Sequence, residues 1–250
     1  MENLEPLNLA KIGTQGKGKS AFTGELSKAI NKVVSKEIET REISMHTSKT
    51  VFDPSTITQC PRRLVYRHDS TESERIGSPY LEHMAKSKNI TKWLDFLDKC
   101  AKIKVLDSYV LVADTVCNLT GWLDGVLEIE LDNGYKHIVA IKTHEVVSNV
   151  FSCLFPPEGD SYVLKNDVIE LNVSMWMAGL IKGILLYSDS KQGRYSISEL
   201  DLNQTIIDRV EKKCSILNQY CLRGQLPSKP YLEISAECEA CEFKTKCWAN

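Results

Sequence analysis

The stretch Gly121-Trp-Leu-Asp124-Gly-Val-Leu-Glu-Ile-Glu130-Leu-Asp-Asn-Gly134-Tyr-Lys-His-Ile-Val-Ala140-Ile-Lys142-Thr143 decides how this chain folds. From Thr120 to Leu131 apolar residues alternate around Leu123, Val126, Leu127 and Ile129, the period of a strand with one face buried. Tyr135–Lys142 is short and apolar. Asp132-Asn133-Gly134 between them is a strong hairpin signal, because these residues tolerate the positive φ of a tight turn. An antiparallel hairpin would bring Asp124 and Lys142 together at one sheet edge.

Reading outward, Val105–Ala113 is rich in β-formers and supplies a further strand. Upstream, helices are expected over 20–36, from about Cys60 to His68 with Pro61 in the first turn, and over 79–101. Downstream come a loop at 153–162 containing Pro156-Pro157, a helix over 166–181, an apolar strand at 183–187 and a strand near 195–200. A helix over 203–222 then carries Ile206, Ile207, Val210, Leu217 and Cys221 on one side. This order predicts an α/β fold, a mixed sheet flanked by helices. Residues 1–54 read as a basic N-terminal region and 55–250 as the folded core.

No stretch approaches the length of an apolar membrane span, and MENLEPLNLAKIG lacks a signal-peptide profile, so no membrane is implied. Nine cysteines in such a chain suit a reducing, cytoplasmic setting and metal ligation better than disulfides. A net charge of -2 gives no global attraction to nucleic acid, which leaves local basic patches. One patch is the N-terminal run with Lys17 and Lys19. There Gly13-Thr-Gln-Gly-Lys-Gly18-Lys19-Ser20 matches a phosphate-binding loop pattern. No convincing strand precedes it, so a basic loop on DNA phosphate, or a solvated terminus, is preferred to ATP hydrolysis.

Cys238-x2-Cys241-x5-Cys247 closes the chain, and Cys60 lies far upstream in Gln59-Cys-Pro-Arg-Arg. Thiols at such spacing converge on one metal centre, here tying together the two ends of the domain. An iron–sulfur cluster is preferred to zinc, because a distant cysteine joined to a terminal three-cysteine loop departs from paired zinc knuckles. Cys100, Cys117, Cys153, Cys214 and Cys221 read as buried apolar residues. Arg62, Arg63 and Arg67 beside Cys60 are either a solvated helix face or a groove binding phosphate in a salt-dependent way.

The G-x-x-D-G phrase at 121–125, the x-Ile-Lys-Thr phrase at 140–143 and the cysteine frame resemble the PD-(D/E)XK nucleases. The resemblance is to their RecB-like iron–sulfur branch, which includes CRISPR adaptation nucleases and the nuclease domain of AddB. It covers roughly residues 55–250. It implies a restriction-endonuclease-like fold with an iron–sulfur subdomain built from both chain ends, holding a 4Fe-4S cluster on Cys60, Cys238, Cys241 and Cys247. Mg²⁺ or Mn²⁺ would bind Asp124, the residue-140 side chain and the Ile141 main-chain carbonyl, with Lys142 orienting the attacking water. The implied activity is metal-dependent exonucleolytic cleavage of DNA, preferring single-stranded ends, with a helicase or recombination partner.

Residue 140, however, is alanine where that branch has Glu or Asp. Since Asp124, Lys142 and Thr143 are in place, the alanine is read as an engineered removal of a carboxylate in preference to a native residue of a non-catalytic DNA-binding protein. Either way the chain as written should cut DNA poorly or not at all. The family's histidine position in the helix near Gly77 holds Leu81, with Glu82 as a nearby carboxylate able to approach the metal. Its Q-x-x-x-Y motif appears as Asn172 to Trp176, which could still contact DNA.

Overall fold

The computed structural model describes residues 52–69, 90–91, 93–155, 163–189 and 191–249. A helix α1 (Pro61–Asp69) leads into strands β1 (Ile103–Asp114), β2 (Leu119–Glu130) and β3 (Lys136–Glu145). Helices α2 (Ser148–Leu154) and α3 (Lys165–Met177) then cross over to β4 (Lys182–Asp189). Strand β5 (Arg194–Asp201), helix α4 (Gln204–Arg223) and two short helices, α5 (Ala236–Glu239) and α6 (Lys244–Trp248), complete the chain. The strands form one five-stranded sheet in the order β1-β2-β3-β4-β5.

The β2–β3 hairpin turns at Gly134, whose φ of 78° is open to glycine without steric cost. The β3–β4 pair is parallel and every other pair antiparallel. A parallel pair needs a long connection, which α2 and α3 provide. The mixed α/β sheet expected from the sequence is therefore present. The Lys142 strand is its central strand, so the pairing with Asp124 lies within the sheet rather than on an outer strand.

Two apolar clusters cover the two faces. One packs α1, α3 and α4 on the sheet through residues such as Leu64, Leu123, Leu171, Leu185 and Ile207. The other packs the helical residues at 90–91 and 93–97 against Leu127, Ile129, Val139, Ile141, Ile184 and Leu186. Strand β4 is buried on both faces, as its apolar run requires. Leu119 and Leu123 belong to the first cluster but Leu127 and Ile129 to the second. Strand β2 thus changes the face of its odd-numbered residues around Asp124 and Gly125.

Helix α4 begins at Asn203, whose side chain accepts from Thr205 N and Ile206 N, and ends at Gly224 in the left-handed conformation. Helix α2 replaces the first part of the loop expected at 153–162. Its N-cap position, Val147, makes no side-chain capping bond, so the sequence carries no start signal there. The boundary expected at residue 54 falls in a segment that packs on β2, where Phe52 N donates to Asn118 O and Thr120 N to Phe52 O.

Candidate active site

The β2–β3 ladder runs from Glu130↔Lys136 to Gly125↔Ile141 and stops there. Beyond that point β2 parts from β3, and the Asp124 side chain fills the gap. Its Oδ2 accepts from Thr143 N at 2.6 Å and from Thr143 Oγ1 at 2.9 Å, replacing the ladder bond that a continuing strand would supply. Lys142 reaches back from the next residue. Its Nζ donates to Trp122 O at 3.1 Å, pairs with Glu170 Oε1 at 2.8 Å, and lies 3.6 Å from Asp124 Oδ1.

The glycines of the G-x-x-D-G phrase are explained by close approach. A Cβ at Gly121 would sit 2.6 Å from Pro54 Cδ, and one at Gly125 would sit 3.1 Å from Asp107 O. Asp124 is 1% exposed, and its Oδ1 is buried without a hydrogen-bond partner. A carboxylate oxygen in that condition is expensive unless a cation faces it. Burial alone would lower the Lys142 pKa, but the Asp124 and then the Glu170 carboxylate outweigh it and hold the ammonium charged well above its ordinary range. Asp53 adds to the same field.

Glu170 and Asp53 are the residues that sequence reasoning missed. Glu170 stands alone among Val168, Ile169, Leu171 and Val173, and a carboxylate inside an apolar helical run was the available signal. One turn earlier, Asp167 Oδ2 accepts from Tyr187 OH at 2.7 Å and lies 3.7 Å from His144 Nδ1. Burial, then Asp167, raise the Tyr187 phenol above its ordinary value and keep it a donor.

Ala140 is fully buried, on the same β3 face as Lys142 by strand alternation, and pairs with Val126 and Gly183. The Ile141 side chain lies in the opposite core. Asn172 is 1% exposed; its Nδ2 donates to Val168 O and its Oδ1 accepts from Asn203 N. That corrects its expected place on a DNA-facing surface: its amide is spent tying α3 to the start of α4. Trp176 is half-buried against the first cluster. Glu82, Lys17, Lys19 and the segment 13–20 lie outside the described residues.

At the chain ends, Cys60, Cys238, Cys241 and Cys247 line one cleft together with Tyr66, Tyr231 and Trp248. Among the described residues, no three His, Cys, Asp or Glu side chains form a group that could hold a metal ion as they stand, so the thiols share the cleft without closing on a point. The cleft is tied by Glu242, which pairs with Arg63 and, at 2.7 Å, with Arg67, and by Phe243 stacked on Tyr66 at 5.3 Å. Arg62 lines the same cleft but is not solvated. It is 9% exposed and donates to Pro227 O at 3.1 Å. Cys100, Cys117 and Cys214 are buried as expected and Cys221 is half-buried, but Cys153 is exposed on α2.

No protein-family model matches this chain, and no curated protein matches it. Among solved structures it is similar to the crystal structure of SSO0001, with a TM-score of 0.48 and 16% identity over 90% of this chain and 94% of that one. It is also similar to an alkaline exonuclease, LHK-Exo, from Laribacter hongkongensis, with a TM-score of 0.47 and 9% identity over 70% of this chain and 89% of that one. The same exonuclease in complex with dAMP gives a TM-score of 0.46 and 11% identity over the same shares. None of these likenesses assigns a function to this chain.

Proposed function

We propose that this chain is a metal-dependent DNA nuclease of the PD-(D/E)XK type, weakened by the alanine at position 140. One observation carries the reading: Asp124 and Lys142 meet, buried, where β2 parts from β3, and Asp124 Oδ1 is left without a hydrogen-bond partner. A carboxylate oxygen that takes no hydrogen bond and has only a longer ion pair to Lys142 is a donor a hard cation can take, so the residues fit Mg²⁺ or Mn²⁺ on Asp124 and the Ile141 carbonyl. When bound, such a cation activates water and neutralises charge on the reacting phosphate. Lys142 orients the water and offsets negative charge, and Asp124 keeps its orientation through Thr143.

The substrate in this reading is DNA, entered at single-stranded ends, with Arg63, Arg67 and Trp176 near its path and a helicase or recombination partner delivering it. A 4Fe-4S cluster on Cys60, Cys238, Cys241 and Cys247 braces the chain ends; four thiols lining one cleft are the donor set it needs. The test is to install Glu or, more compactly, Asp at position 140, purify without air, and assay labelled single- and double-stranded DNA with Mg²⁺ or Mn²⁺. Cleavage at least tenfold above the parent is expected. DNA binding with no cleavage in either variant would replace the nuclease by a non-catalytic DNA-binding protein.

That second reading, with alanine native, has its own support. Ala140 pairs with Gly183, and a Cβ on Gly183 would come 2.5 Å from Met175 Sδ and 3.0 Å from Leu171 Cδ2. Helix α3 therefore sits close over two small residues, a seat that a longer side chain would disturb.

A further inference from the structure

We infer that Tyr109 is a positioning residue for Asp124. Its left-handed backbone turns β1 over in step with β2, and that turn sets the Asp124 carboxylate on Thr143 and Lys142. The inference rests on the nuclease reading for its purpose, and on the sheet for its evidence.

Tyr109 has a φ of 54° in the middle of β1. For a residue with a bulky ring that conformation is strained, and such strain persists only where the surroundings fix it. Asn118, the other described non-glycine residue with positive φ, lies in the β1–β2 turn, where asparagine tolerates it. No turn accounts for Tyr109. The ladder register puts it across from Asp124, between the pairs Ser108↔Gly125 and Val110↔Leu123.

Both strands change face at this point. Val105 and its partner Leu127 pack in the second apolar cluster, whereas Val110 and its partner Leu123 pack in the first. Leu123 and Leu127 are four residues apart, a spacing that keeps one face in an unbroken strand. Strand β2 makes the change where Asp124 leaves the β3 ladder. Strand β1 must make it too if the pairs on either side are to survive. Its register shift between Val105 and Asp107 takes up one extra residue, and the turnover falls to Tyr109. The ring is fixed by packing on the second cluster and by its hydroxyl, 2.7 Å from Thr91 Oγ1. A straightened Tyr109 would draw Asp124 back into the alternation of β2 and off Thr143 N, 2.6 Å away.

The test follows the Thr143 amide in ¹H–¹⁵N spectra of the full chain, where its short bond to a carboxylate shifts the proton downfield. Tyr109→Gly removes the ring but adopts positive φ freely, Tyr109→Phe removes only the hydroxyl, and Tyr109→Val keeps apolar bulk but resists positive φ. The downfield shift is expected to survive in Tyr109→Gly and Tyr109→Phe and to be lost in Tyr109→Val. A role through ring packing alone predicts the reverse order, with Tyr109→Gly the worst, and that result would overturn the inference. So would an unchanged Thr143 amide in folded Tyr109→Val. Should Tyr109→Val not fold, Tyr109→Gly decides: loss of the shift beside a native circular dichroism spectrum overturns the inference, and its retention without the ring upholds it. The expected order of shifts, with no DNA cleavage by Ala140→Glu, would keep Tyr109 as a positioning residue and remove the nuclease.

Discussion

The carboxylate–lysine site and the cysteine cleft are built in opposite ways. The first is held by strands buried between two apolar clusters, and its side chains complete a hydrogen-bond ladder that the backbone leaves unfinished. The second is held by helices of four and five residues that bury no side chain, joined to the fold by Glu242, Phe243 and the backbone near Pro227. The sheet therefore stabilises its site without any ligand. The two short C-terminal helices have little apolar burial to offset the entropy of ordering them, which is the situation in which a bound metal centre contributes most to folding.

This contrast predicts the largest loss at Asp124. Asp124→Ala removes the one oxygen that accepts both Thr143 bonds and takes away one of the two carboxylates paired with Lys142. It should cost about 3 to 5 kcal/mol in urea unfolding, as breaking a buried charge network does. A loss of under about 1 kcal/mol would mean that the ladder continues without the side chain.

Next in size is Gly183→Ala, which presses on Met175 and Leu171 and should cost about 1 to 3 kcal/mol. Mn²⁺ binding at Asp124 should weaken with it, because the same push disturbs the Glu170 pair that holds Lys142 beside Asp124. Destabilisation with unchanged binding would separate the seat of α3 from the site.

Glu242→Gln at the other end should cost no more than about 1 kcal/mol, since its pairs are partly solvated. Burial raises the Glu242 pKa, but the bonds from Arg63 and Arg67 outweigh that and hold it below the ordinary 4.5. A carboxylate lowered in this way adds stability above its unfolded pKa and loses it as the pH falls through the folded value. Limited proteolysis within 226–249 should therefore accelerate below about pH 4.5 in the parent, and Glu242→Gln should be insensitive to that change.

The smallest expected effect on the sheet is that of Cys241→Ser. It should open the terminal segment to protease in anaerobically prepared protein while leaving the main unfolding midpoint within about 0.5 kcal/mol. Iron and sulfide lost with no local opening would show that the protein alone holds the cleft.

What was legible in the sequence follows the range of each signal. The 121–143 hairpin, β4, β5 and α4 were readable because alternation, Asp-Asn-Gly and helical spacing act over a few residues. Asp124 and Lys142 were readable as a pair because the hairpin fixes their register. Glu170 was not, since its partner is on another element and its one local signal, a carboxylate inside an apolar helical run, does not say which strand it faces. Arg62 was unreadable for the same reason: Pro227 O, which accepts its hydrogen bond, is far along the sequence. Helix α2 escaped notice because it is short and uncapped.

The most direct measurement is an anomalous difference map from crystals of the full chain soaked in Mn²⁺, recorded at the manganese edge. A single strong peak within coordination distance of Asp124 Oδ1, lost in Asp124→Asn crystals, is the predicted result. No peak at that position, with Lys142 still bridging the two carboxylates in saturating Mn²⁺, would contradict it.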